Sequence, residues 1–172
     1  SVPHADAALN AGRFDSARKA FTAAAKLQPG SKEAASALQE VATAETAQRL
    51  ASLDQQGQRD EQQEQWDKAV AAYEQAQKLD KSVLFASEGL GRSRKRAQLD
   101  QQLSTALADP LRLSDTAVAA ATEQLLAQAK QVTPRGPVLE QQISKLDTAL
   151  RKANTSVNVT LRSDEKTEVI VY

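Results

Sequence analysis

The sequence predicts a mainly α-helical chain, an array of antiparallel helix hairpins closed by a short β-hairpin, and three observations lead there. Ala, Leu and Gln dominate while aromatics are only 3% of 172 residues, a make-up that favours helix and lets neighbouring helices approach closely. A seven-position pattern recurs at a constant offset of 52 residues. After Asn154 the apolar period changes from 3.6 to 2, the spacing of strands.

The repeat organises the first half of the chain. Gly12, Phe14, Ala17, Phe21, Ala24, Leu27 and Pro29 are spaced as Glu64, Trp66, Ala69, Tyr73, Ala76, Leu79 and Lys81. From Phe14 the intervals of three, four, three and three put aromatic, small, aromatic, small and leucine side chains on one helical stripe. Small residues admit a neighbouring helix and the rings fill the remaining space. Ser31 is placed to cap the next helix, which carries Leu38, Val41, Leu50 and Leu53. Running to about Asp60, it would be ~40 Å long and overhang its partner, because Asp54 to Gln65 reads as polar all round with Gly57 inside, a solvated tip.

Another long helix is expected from Val83 to about Ala108, with Leu99, Leu103 and Leu107 in its later stripe, ended by Asp109-Pro110. Ser114 is placed to cap the next one, where Val118, Ala121, Leu125, Ala129 and Val132 form a narrow seam. The stretch from Thr133 to Pro137 breaks it. The last helix, Val138 to Ala153, aligns Leu139, Ile143, Leu146, Leu150 and Ala153, so the two should fold back as a hairpin. Val157, Val159 and Leu161 then alternate with polar residues, Ser163 to Lys166 reads as a turn, and Thr167 to Tyr172 is β-rich. Two strands alone are marginal in water, so the hairpin is expected either to dock on the helices or to begin a small β-module. The domain reading is 1–108 for the repeats with their extended helix, 109–154 for the helical hairpin and 155–172 for the β-hairpin.

The residues from Gly12 to Pro29 resemble the second half of a tetratricopeptide repeat, with its turn glycine, aromatic, alanine, aromatic, alanine and helix-ending proline. Trp66, Ala69, Tyr73 and Ala76 resemble another, with Glu64 in place of the glycine and Lys81 in place of the proline. Leu90 and Gly91 match the family's first-helix Leu-Gly pair, and Leu38 with Gln39 matches it in part. The family period is 34 residues, so an extra ~18 residues separate the two matches, placed at Asp54 to Gln65. The resemblance covers roughly the first 95 residues and implies stacked helix pairs with a concave face that holds a peptide or partner helix. A β-module after helical repeats also resembles the arrangement in some bacterial envelope proteins.

Composition narrows the function. Lys plus Arg balances Asp plus Glu at 22 each, so there is no global pull toward nucleic acid or anionic membrane. The chain has no cysteine, hence no disulfide, thiolate nucleophile or cysteine zinc site. No apolar run approaches the length needed to span a bilayer. The lack of methionine, the start at Ser1 and the stop inside a strand-like run read as a processed or excised piece.

The inventory for catalysis is thin. His4 is the sole histidine, near a terminus and without co-ligands. Asp60, Glu61 and Glu64 read as a solvated acidic face. Gly89 and Gly91 lack the strand and third glycine of a phosphate loop, and Gly91 reads as a packing position. The two sequons at Asn154 and Asn158 read as chance in a Ser/Thr/Asn-rich segment, and Phe14, Phe21, Trp66 and Tyr73 read as core. The most noticeable charge feature is Arg92, Arg94, Lys95 and Arg96, which wraps around its helix. It reads as solvated or ion-paired surface, or else as a contact for an acidic partner, with no aromatic interleaving for base stacking.

The function expected is that of a non-enzymatic scaffold binding another protein, without cofactors, in the periplasm or envelope, or alternatively the cytoplasm. One alternative is a structural spacer or homo-oligomerisation element of an envelope assembly, its seams at Val118 to Val132 and Leu139 to Ala153 joining subunits. The other is a binder of acidic ligand or nucleic acid through Arg92 to Arg96.

Overall fold

The computed structural model describes residues 2–155, with side chains from His4 onward. It contains seven α-helices and one short 3-10 helix, and no strand, among these residues. The expected β-hairpin over 155–172 lies outside the described residues, save Thr155. In order the helices are α1 (Val2–Asn10), α2 (Phe14–Leu27), α3 (Lys32–Gln62), α4 (Trp66–Leu79), α5 (Leu84–Ala108), the 3-10 helix Pro110–Ser114, α6 (Thr116–Gln131) and α7 (Pro137–Ala153). The chain forms two compact units, 1–98 and 99–172, and the division falls within α5.

In the first unit the 52-residue repeat is written into the backbone as well as the side chains. Gly12 has φ +70° and Glu64 has φ +55°. At both sites the residue itself bonds three back and the next residue five back: Gly12 N–H donates to Leu9 O and Arg13 N–H to Ala8 O, Glu64 N–H to Glu61 O and Gln65 N–H to Asp60 O. This is the bonding of a left-handed helix stop, which satisfies carbonyls that the ended helix leaves open. Glu64 accepts the conformation that Gly12 adopts without a Cβ penalty.

Ala17 and Phe21 of α2 are buried with Ala5 and Ala8 of α1 and Val41 of α3. The equivalent Ala69 and Tyr73 of α4 are buried with Leu90, and Ala76 with Leu53 and Ala86. The stripe stops short of its leucines, because Leu27 and Leu79 are exposed. They occupy the last turns of α2 and α4, where no further helix turn covers them.

Helix α3 begins at Ser31, whose Oγ accepts from Ala34 N–H at 3.2 Å, as its sequence predicts. It does not end in a solvated overhang. Leu53 and Gly57 are buried, and one face of the polar stretch, with Gly57 and Glu61, packs on α4 and α5 while its glutamines stay exposed. Val41 and Leu53 are twelve residues apart, which places them ~120° around the axis from each other at 100° per residue. The two halves of α3 therefore bury different faces, and the second buries a glycine, which hydropathy cannot register.

The second unit, described over 99–155, has one core. Leu103, Leu113, Leu126, Ala129, Leu139, Ile143, Leu146 and Leu150 are buried together. The α7 stripe runs as predicted up to Leu150, while Ala153 is exposed. The 3-10 helix, which the sequence did not announce, inserts Leu113. Asp115, not Ser114, caps α6: its Oδ1 accepts from Ala117 N–H at 2.8 Å and Val118 N–H at 3.2 Å. Ser114 Oγ donates instead to Leu111 O, closing the 3-10 turn. The α6 seam meets the core except at Ala121, and is broader than expected. Ala119, Thr122, Leu126 and Ala129 are buried, Val118, Leu125 and Val132 are half-buried, and Ala121 is exposed.

Candidate interaction surfaces

The basic cluster sits on α5 and is largely spent within the first unit. Helix periodicity sends its members in different directions, and acids of α3 and α4 meet them. Arg92 approaches Glu61 at 3.2 Å, and the buried Ser93 hydroxyl donates to the same carboxylate at 2.8 Å. Arg94 pairs with Glu74 at 2.8 Å. Arg96 lies 3.6 Å from Glu64 and stacks its guanidinium over Trp66, 4.4 Å from the ring centroid, a cation–π contact in a partly desolvated setting. Lys95 is exposed.

Glu61 and Glu64 accordingly face α5 and not open water, because the second half of α3 has turned its face. Asp60 lies beside them, with its Oδ2 buried and without a hydrogen-bond partner. Among the described residues no three His, Cys, Asp or Glu side chains are grouped so that they could hold a metal ion.

Tyr73 marks the tightest packing of this unit. A Cβ built on Gly57 would lie 2.5 Å from its ring, and so would one built on Gly89. The ring is thus clamped between bare backbone of α3 and α5. Gly89, not Gly91, is the packing glycine, since Gly91 is exposed with open space around it. The Tyr73 hydroxyl is buried beside the Arg92 guanidinium, without a hydrogen bond of ordinary geometry. Burial, reinforced by the Glu61 carboxylate and opposed by Arg92, pushes its pKa up. Glycines at mid-helix positions on two flanking helices were the sequence signal for this clamp.

The surface with an open apolar floor is in the second unit. A groove of about 760 Å³ runs between the end of α5, the 3-10 helix and α6. Val118 and Leu125, half-buried against the core, and the exposed Ala121 line it together with Ala106 and Leu113. Gln101, Gln102, Gln124 and Gln128 stand along its sides, and Asp109 and Arg112 close one end. A second recess of about 610 Å³ on α6 and α7 has charged walls. There Asp147 takes Lys130 at 2.9 Å and Arg151 at 2.8 Å.

Comparison with protein-family models, with curated proteins and with solved structures finds no match for this chain. No described helix is long and apolar enough to cross a membrane.

Proposed function

We propose that the chain is a non-enzymatic protein-binding scaffold whose docking surface is the groove between the end of α5, the 3-10 helix and α6. The observation that carries this reading is that α6 presents more apolar side chains than the core covers. The line from Ala119 to Ala129 is buried. Val118 and Leu125, only half-covered by that core, and the exposed Ala121 line an open channel. Small residues in its floor admit a helix or turn from a partner, and glutamine side chains along its walls offer hydrogen bonds without fixed charge. The paired basic cluster supports the same reading, because guanidiniums already matched by carboxylates have less to gain from a polyanion.

The test uses the lack of native cysteine, which lets Ala121→Cys carry a unique photo-crosslinker. A partner protein should be trapped from Ala121, not from the same label at Lys19, and lost when Leu125→Glu places a charge in the floor. Equal trapping at both sites, or none at Ala121, would sink the proposal.

A further inference from the structure

We propose that the segment filling this groove is the 3-10 helix of a second copy of the chain, with Leu111 as the side chain that enters it. The inference rests on reading the groove as a docking surface and names its partner. Its first support is the position of Leu111. This leucine is 84% exposed, on the same short helix whose neighbours Arg112 and Leu113 line the groove. Leu111 does not line the groove itself but stands beside it on the same short turn, so that a second copy can both insert its knob and receive one, as an isologous contact requires.

The second support is charge. Asp109 and Arg112 both line the end of the groove and are exposed. Asp109 occupies the cap position of the 3-10 helix, yet its side chain makes no capping hydrogen bond. A twofold axis through this end would set each Asp109 opposite the other copy's Arg112, forming two ion pairs from one patch. A heterologous partner would have to supply both the knob and the reciprocal charges. A second copy already holds them.

Sedimentation equilibrium across a wide concentration range, on the full chain, tests this. The expected result is a reversible monomer–dimer equilibrium, micromolar or weaker, as suits a small interface. Leu111→Ser should weaken it more than about a hundredfold, since the buried leucine is lost twice across the axis. Asp109→Arg and Arg112→Asp should each weaken it about tenfold or more by setting like charges face to face. The double reversal, Asp109→Arg with Arg112→Asp, should restore it. Helical content by circular dichroism shows that each variant remains folded, which exposure of all three positions favours.

A dimer indifferent to Leu111→Ser, or charge reversals that the double variant fails to rescue, would overturn the proposal. A strict monomer whose Ala121 label still traps a different protein would also overturn it, leaving the docking groove in place. A strict monomer with nothing trapped would remove both.

Discussion

Tyr73 is held by what its neighbours lack. With the ring held between two glycine backbones, a methyl group at either position has nowhere to go, because the nearest atoms are ring carbons fixed by the surrounding helices. Gly57→Ala and Gly89→Ala should each destabilise the first unit by about 1–3 kcal/mol, the ordinary cost of overpacking. Gly91→Ala, on the same helix but facing open space, should stabilise by about 0.5–1 kcal/mol through helix propensity. Urea unfolding followed by circular dichroism separates the cases, and a neutral Gly89→Ala would refute the clamp. The hydroxyl is a different matter: buried with only Arg92 close by and no hydrogen bond of ordinary geometry, it contributes more desolvation cost than bonding. Tyr73→Phe should therefore leave stability unchanged or raise it by up to about 1 kcal/mol. A loss of that size would mean that the hydroxyl is bonded in solution.

At the scale of elements, α6 and α7 are joined across their exposed side by Asp147, which accepts from Lys130 and Arg151. The hydrogen bond from Lys130, with these two charges, holds its carboxyl below the ordinary aspartate value of 3.8. Its folded pKa thus lies below its unfolded one, so its contribution is complete above the unfolded value and is lost as pH falls through the folded value. Acid unfolding of the second unit should begin as pH drops below ~4, and Asp147→Asn should flatten that limb while leaving the slope near neutral pH unchanged. An unaltered acid limb would show that the pair is too well solvated to matter. Helix limits were readable in the sequence wherever a local device sets them: Ser31 as a cap, Pro110 as a break, Gly12 as a stop, and the Thr133 to Pro137 break, whose last residue opens α7. The same chemistry misled at Ser114, because Asp115 beside it is an equally good cap and the intervening 3-10 turn claims the serine hydroxyl. The expected apolar residues of α3, and those of α6 except Ala121, do meet the cores, but the further buried positions of both helices were not readable. A helix that buries different faces in its two halves has no single stripe, and a helix with two adjacent apolar lines does not announce that the core will draw on both.

At the scale of the molecule, the neutral total of 22 cations and 22 anions turns out to be local as well. The basic run on α5 was plain in the sequence, but its partners were not, since Glu61, Glu64 and Glu74 lie 20 to 32 residues away and only the packing of α3 and α4 against α5 brings them near. The consequence for binding can be measured on immobilised heparin. Exposed charges interact within about one Debye length, ~8 Å at physiological ionic strength, and within that distance Arg92 and Arg94 each meet a carboxylate before they meet a ligand. The chain should therefore elute below ~0.15 M salt. The double variant Glu61→Gln with Glu74→Gln adds two units of formal charge and releases both guanidiniums, so its elution should move to clearly higher salt. Glu33→Gln and Glu40→Gln together add the same charge away from α5 and should move it less. If the unaltered chain were itself retained above that salt, and Arg92→Gln with Arg94→Gln abolished retention, the ion pairs would be yielding to the polyanion, and the basic run would outrank the groove as the binding surface.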